Sequence, residues 1–482
     1  MSQSLAELKP NLIWKYFIEI LEIPRPSKKE EKIMQYLLDF GKKHELKTHQ
    51  DKIGNIIIKK PATPGRENSK TVVLQSHMDM VCEKNNDKVH DFEKDPIIAY
   101  IDGEWIKAEG TTLGADDGIG IAAQLAILAS NEISHGSIEC LFTTDEETGL
   151  TGAHNLDPQI LEGEILLNLD SEDEGQLFIG CAGGKDTSIE LSFEKEETPN
   201  DYNFFKIVVN GLKGGHSGDE INKGLGNANK ILNRLLWMSS DFDLKLSHFD
   251  GGNLRNAIAR EAFAIVGIPN SKTQGFTKHV QNYFKKVKPE FKITDAGLNI
   301  EMEQTEAPAF VLDQDTQHKL LNSLYACPHG VIAYSAEITD FVETSTNLAA
   351  VKTLDEHIKI TTSQRSSVES AKEDVGNMVR AAFELTGAKI YHSDGYPGWT
   401  PNPNSEIVKI TASSYRKLFN EEPEVLAIHA GLECGLIGAI YPEMDMISFG
   451  PTIKGAHSPD ERIHIGTTLK FWDLLIDVLA KV

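Results

Sequence analysis

The chain has 482 residues, 40% hydrophobic and 25% charged, which excludes a wholly disordered polymer and exceeds what one ordinary core accommodates. Lysine and arginine number 48 against 72 aspartates and glutamates, a net charge of −24. A surface this acidic repels phosphate backbones and anionic lipid, so neither nucleic acid nor membrane is expected as a partner, whereas divalent cations are attracted.

Residues 1–10 lack the basic cap and apolar core of a secretory signal. Apolar residues at helical spacing predict a helix from Leu12 to Leu21, stopped by Pro24 and Pro26, and a second over Lys29–His44. Strand-like runs follow at Ile53–Ile58, Thr71–Leu74, Ser137–Phe142 and Ile165–Leu169. The last three are almost continuously apolar, as in strands buried on both faces. An apolar helix, Ile119–Ser130, lies between two of them. It is far shorter than the roughly 20 residues that span a bilayer. Strand, helix, strand in this order predicts an α/β sandwich with a mostly parallel sheet.

After Gly183-Gly184 the texture changes to α+β. Short strands such as 205–209 and 261–266 alternate with amphipathic helices such as Ala228–Met238 and Ala371–Leu385. The segment 253–259, then a strand and a helix, resembles 346–351, then a strand and a helix, which suggests an internal duplication. From about Pro397 the α/β texture returns, with a helix near Ile407–Phe419 and a strand near Met446–Phe449. The predicted organisation is a catalytic α/β domain in two parts, 1–186 and 395–482, interrupted by an inserted α+β domain over 187–394. The five cysteines (Cys82, Cys140, Cys181, Cys327, Cys434) include no CxxC pair, so free thiols in a reducing cytoplasm are expected.

Histidine and acidic residues fall just past the predicted strands. Ser76-His77-Met78-Asp79 follows the run at 71–74, and alternation puts His77 and Asp79 on one face. Asp145-Glu146-Glu147-Thr148-Gly149 follows the run at 137–142, Asp170 ends the next, and Ala456-His457-Ser458-Pro459 comes after the late strand. Gly114-Ala115-Asp116-Asp117-Gly118 precedes the apolar helix. Each has an ordinary reading: a hydrogen-bonded core histidine, a helix cap at Asp116 or Asp117, a solvated loop at Glu146 and Glu147. Together they deliver donors to the edge where parallel α/β sheets bind ligands, and adjacent carboxylates repel unless a cation neutralises them. Two imidazoles, His77 and His457, with the carboxylates of Asp116, Glu147 and Asp170 make five ligands. If one carboxylate bridges, two ions each receive three donors and keep a position for water. Mixed nitrogen and oxygen donors suit zinc, cobalt or manganese better than calcium.

These motifs, with Asp460-Glu461 after His457, resemble those of the two-zinc peptidase family of aminoacylases, carnosinases and bacterial di- and tripeptidases. Gly114–Gly120, the run Ile428-His429-Ala430-Gly431-Leu432-Glu433-Cys434-Gly435 and the long insert resemble its aminoacyl-histidine dipeptidase branch most. The resemblance implies two zinc ions per chain, with cobalt or manganese as substitutes. His77 and Asp170 would bind one, Glu147 and His457 the other, and Asp116 would bridge, leaving Asp117 outside. It further implies that Asp79 orients His77 and that Glu146 is the general base.

The insert would be the family's lid, in which Gly214-Gly215-His216-Ser217-Gly218 supplies His216 to the carbonyl oxygen, Asn256 contacts substrate, and Arg365 clamps a free α-carboxylate. Gly431 would let backbone approach the substrate. The implied activity is cytosolic hydrolysis of Xaa-His and related dipeptides, carnosine-type substrates included. A metal-dependent deacylase of N-acyl amino acids and a non-catalytic peptide- or metal-binding relative are the alternatives. A duplicated lid could mimic the dimer interface of smaller relatives, which leaves a homodimer open.

Overall fold

The computed structural model describes residues 5–482. They form two compact units. The first runs up to Cys181 and resumes at Trp399–Ala427 and Leu432–Val482; the second comprises Ala182–Gly398 with Ile428–Gly431.

The first unit is built on an eight-stranded sheet, whose order across the sheet is Lys47–Gln50, Ile56–Lys60, Ile138–Thr143, Val72–His77, Ile165–Asn168, Asp445–Ser448, Gln176–Cys181, Glu424–Ile428. The parallel character lies in the middle. Ile138–Thr143, Val72–His77, Ile165–Asn168 and Asp445–Ser448 are mutually parallel, while Ile56–Lys60 and Gln176–Cys181 flank them antiparallel. Every residue of the strands at 72–77, 138–143 and 165–168 is buried, which explains their almost continuous apolar runs. The helix Ala115–Ala129 is buried on all sides from Ala115 to Leu128, as its lack of a polar face requires.

Several boundaries differ from the sequence expectation, each for a local reason. The strand expected from Ile53 begins at Ile56, because the Asp51 carboxylate accepts the amides of Ile53, Gly54 and Asn55 and turns the chain there. The strand expected to stop at Leu74 runs on to His77 in register with Thr143. The apolar helix starts four residues before Ile119, but Asp116 and Asp117 have non-helical backbone angles.

The common direction of the four central strands sends their carboxyl ends to one edge. His77 is the last residue of its strand, the turn at Asp145 follows Thr143, and Asp170 lies two residues past Asn168. After Ser448 the chain passes Gly450, where a Cβ would sit 1.8 Å from the Ser171 carbonyl oxygen, so only glycine lets these segments approach. A small sheet then pairs Ile453–Lys454 with Arg462–His464 and holds His457 in the loop between them.

That loop also supplies the buried Glu461. Its Oε2 accepts the amides of Leu113 (2.7 Å) and Gly114 (3.0 Å), and its Oε1 those of Ala115 (2.7 Å) and Asp116 (3.3 Å). On the other side of the same turn, the buried Arg25 donates to the carbonyls of Gly114, Met78 (3.1 Å) and Asp79 (2.6 Å). One anion and one cation thus fix the backbone around Asp116 and His77.

In the second unit an antiparallel sheet repeats one topology twice. The strands are β1 (Gly183–Ser192), β2 (Tyr202–Asn210), β3 (Lys245–Gly251), β4 (Ala262–Pro269), β5 (Asn299–Thr305), β6 (Val342–Thr353), β7 (His357–Ser366) and β8 (Lys389–His392). The helices are α1 (Ala228–Trp237), α2 (Thr273–Val287), α3 (Gln314–Ala326) and α4 (Glu369–Glu384). The sheet order is β5-β2-β4-β3-β6-β7-β1-β8. The set β2-α1-β3-β4-α2-β5 and the set β1-α3-β6-β7-α4-β8 therefore share the same strand order and meet where the equivalent strands β3 and β6 pair. The equivalent helices α1 and α3 are both capped by side chains, Asn227 accepting from the Lys230 amide and Asp313 from the Thr316 amide. The unit opens with β1 at Gly183, ahead of residue 187, because β1 pairs with β7 along its whole length.

Replacing Glu461 with alanine strands the buried amides of residues 113–116, each of which loses about 1 kcal/mol or more. Glu461→Ala is therefore expected to destabilise the first unit by about 3–5 kcal/mol. Thermal unfolding measures this, and a Tm within about 2 °C of the parent would contradict it.

Candidate active site

At the strand-end edge of the first unit the side chains expected from sequence come together. His77 directs Nδ1 to Asp79, 3.2 Å from its carbonyl oxygen and 3.4 Å from Oδ1. The Asp79 carboxylate also accepts the amides of Glu146 (3.0 Å) and Glu147 (3.2 Å). Asp79 thus orients the imidazole and the Glu146-Glu147 turn at once. Burial pushes its carboxyl up, but the bonds from His77 and these neighbours outweigh it and hold the pKa at about 2. The turn itself is closed by Asp145, left-handed at φ 50°, whose carboxylate accepts the hydroxyls of Thr148 and Thr151.

Asp116 joins two groups of donors. Its Oδ1 lies 3.0 Å from His77 Nε2, which is 3.3 Å from Asp170 Oδ1. Its Oδ2 lies 3.1 Å from His457 Nε2, which is 3.0 Å from Glu147 Oε2. Each Nε2 therefore faces two carboxylate oxygens. One N–H can serve only one of them, whereas a cation among three donors serves all. With metal–ligand bonds of about 2.0–2.1 Å, two ligand atoms of a tetrahedral ion lie about 3.3 Å apart, close to the spacing found in both groups.

Charge and unsatisfied atoms point the same way. Oε1 of Glu147 is buried with no hydrogen-bond partner. Burial, reinforced by neighbouring carboxylates, pushes Asp170 to about 6 and Glu172 to about 8. Glu146 is likewise raised, by burial first and then by Asp170, Glu433 and Glu147. The residues present fit a pair of divalent cations, one per triad, sharing Asp116.

Asp117 does not join them. Its Oδ1 accepts the Gly120 amide at 3.0 Å, so the helix-cap reading belongs to Asp117 and not to Asp116. Glu433, part of the quoted run 428–435 but given no role by sequence, is fully buried beside the centre. Its Oε2 accepts from Gln75 (2.6 Å) and Thr143 (2.7 Å), and Gln75 accepts in turn from Asn168. Burial, followed by the Asp170 and Asp79 charges, raises its pKa to about 7 against the pull of His77 and Thr143. Nothing in its spacing signals this position, because the partners come from strands far away in sequence.

The remaining expected residues lie in the second unit. His216 pairs as an isolated bridge with Ala257, and the Ser217 amide donates to the Asn256 carbonyl at 2.8 Å, which puts Asn256 beside His216. Nδ1 of His216 faces the amides of Gly218 and Asp219, both at 3.3 Å, and the Asp219 carboxylate at 3.2 Å. Arg365, on β7, is buried and donates through Nη1 to the Tyr396 hydroxyl at 3.1 Å. Gly431 faces that same tyrosine: a Cβ there would lie 2.9 Å from its ring. Sequence reasoning missed Tyr396 altogether.

Residues 73–481 match the sequence model of peptidase family M20/M25/M40. Over 482 residues, 99% of each chain, the protein is 45% identical to the cytosol non-specific dipeptidase of Escherichia coli (strain K12). The crystal structure of aminoacylhistidine dipeptidase from Vibrio alginolyticus matches with a TM-score of 0.95 and 44% identity, covering 100% of this chain and 98% of that one. Aminopeptidase PepT from Bacillus cereus, 16% identical with a TM-score of 0.58 over 98% of this chain and 99% of its own, shares the fold. With its matching region reaching from the first central strand to the last helix, the chain belongs to peptidase family M20/M25/M40.

Proposed function

We propose that this peptidase is a cytosolic dipeptidase that holds two zinc ions and hydrolyses Xaa-His and related dipeptides, carnosine-type β-alanyl substrates included. The observation that carries this reading is Asp116, whose two oxygens each belong to a separate histidine–carboxylate group. His77 and Asp170 would hold one ion, Glu147 and His457 the other, with cobalt or manganese as workable substitutes. The relatives support the substrate class: the Escherichia coli protein is named a non-specific dipeptidase and the Vibrio protein an aminoacylhistidine dipeptidase. Among the described residues no helix is long and apolar enough to cross a membrane.

When bound, the ions supply positive charge that polarises a peptide carbonyl and acidifies water. The rest falls to the chain. Glu146 has an oxygen within 4.8 Å of donor atoms of His77 and Glu147 but stands outside the two groups that Asp116 joins. Its place next to the donors suits it to take a proton from the attacking water and return it to the leaving amine. Asp79 keeps the proton of His77 on Nδ1, so Nε2 presents a lone pair. In the second unit, His216 is an imidazole suited to donate to an oxygen on which negative charge develops. Arg365 has the planar fork that matches a terminal carboxylate.

Glu146→Gln should lower kcat by at least about 100-fold while leaving metal content at the parent's level. Assay with parallel elemental analysis tests this, and surviving turnover would remove Glu146 from the mechanism. Chelation should abolish hydrolysis of a dipeptide panel and added zinc should restore it. N-acetylation of the same dipeptides should slow their hydrolysis; faster turnover of the blocked forms would favour the deacylase reading instead.

A further inference from the structure

Arg365 has no carboxylate partner within salt-bridge distance among the described residues, and its Nε is buried with no hydrogen-bond partner. Its side chain is only 8% exposed. A buried guanidinium left with an open edge needs something to hold it in one rotamer, or it collapses onto the nearest acceptor. The strand pairing puts Ser345 on one side of Arg365 and Gly184 on the other. The group that touches the guanidinium is the Tyr396 phenol, which accepts from Nη1 at 3.1 Å.

Tyr396 is seated with unusual completeness. Its amide donates to the Gly184 carbonyl at 2.9 Å, and its own carbonyl accepts from the Gly184 amide at 3.1 Å. The same carbonyl accepts the buried Lys372 ammonium at 2.6 Å. Its ring fills space that only glycines leave. A Cβ on Gly184 would lie 2.6 Å from one edge of the ring, and a Cβ on Gly431 2.9 Å from the other. Just before it, Gly395 has φ 72°, and a Cβ there would meet the Gly184 carbonyl oxygen at 2.3 Å. Two glycines from separate segments therefore give up side-chain packing, at a cost in conformational entropy, to make room for one aromatic ring. Nothing in peptide hydrolysis itself requires that ring.

We infer that Tyr396, seated between Gly184 and Gly431, is a positioning residue that holds the Arg365 guanidinium with its Nε edge open for the free carboxylate of a dipeptide. This rests on the dipeptidase reading above. The phenol fixes one end of the guanidinium, and the remaining edge presents parallel N–H groups of the kind a carboxylate takes in pairs. Discrimination between a free carboxyl terminus and a blocked one then depends on Tyr396 as well as on Arg365.

The test compares a dipeptide with its carboxyl-terminal amide as substrates, expressed as the ratio of their kcat/KM values, for the parent, Arg365→Lys, Tyr396→Phe and the double variant. Parent and Arg365→Lys examine the dipeptidase reading alone: the parent should prefer the free acid strongly and Arg365→Lys should lose most of that preference. If they do not differ, recognition of the carboxylate by Arg365 fails, and the role of Tyr396 fails with it.

Given that difference, Tyr396→Phe should reduce the ratio about tenfold, the size expected for losing one hydrogen bond to a charged group, chiefly through a higher KM for the free acid. The same change should have little further effect on the ratio when Arg365 is already lysine. A parental ratio in Tyr396→Phe, or equal effects of the change in both backgrounds, overturns the inference. Gly431→Ala, which crowds the ring without removing the hydroxyl, provides the second reading should Tyr396→Phe fold poorly. It should shift the ratio in the same direction, and an unchanged ratio again overturns the inference.

Discussion

Carboxylates crowded at the end of a buried sheet set the terms for everything around them. Two like charges 4 Å apart repel by about 4 kcal/mol at an effective dielectric of 20, and Asp116, Glu147 and Asp170 reach common histidine partners within hydrogen-bonding distance. Such a cluster persists only if cations bind it and if the backbone that carries it cannot relax away. The scaffold meets the second condition with opposite charges placed on backbone groups. Glu461 gathers the amides of 113–116, Arg25 gathers the carbonyls of Met78, Asp79 and Gly114, and Asp79 gathers the amides of Glu146 and Glu147. Each spends its charge on peptide dipoles, so the donors are held without adding a side chain that would compete for the metal.

The second unit shows a different economy. Its two halves have the same order of strands and helices and meet through equivalent strands, with a helix cap conserved in kind between the equivalent helices α1 and α3. Despite this likeness, the residues of interest are distributed unevenly. His216 and Asn256 belong to the half that begins with β2, whereas Arg365 and Tyr396 attach to the half that begins with β1. A duplicated framework thus keeps one topology while the two halves carry different candidate site residues.

Much of the fold could be read from sequence because its signals are local. Almost continuous apolar runs marked the central strands, and the change of texture after Gly183-Gly184 marked the insert. The clustering of His77, Asp116, Glu147, Asp170 and His457 was legible because parallel topology collects whatever follows each strand. What stayed hidden depends on contacts distant along the chain. Glu433 is an ordinary helix residue until Gln75 and Thr143 are seen to bind it. Spacing alone left the roles of Asp116 and Asp117 open and only the family resemblance separated them; in the structure the backbone break ahead of the helix sends one to the donors and the other to a cap. Tyr396 carries no motif of its own; its glycine seats, Gly184 and Gly431, lie on two distant stretches of chain. The antiparallel flanks of the first sheet were invisible for a similar reason, since strand direction is set by the connections and not by composition.

The split of the first unit governs when the centre can exist during synthesis. The half of the insert from β2 to β5 is contiguous, so it can fold as soon as it emerges, but β1 must wait for β7 and the sheet core must wait for Asp445–Ser448. His457 and Glu461 follow later still. A nascent polypeptide therefore carries most of the donors long before it carries the last imidazole and the anion that steadies Asp116. The proposed centre is therefore complete only once both sequence-distant parts of the first unit have been made.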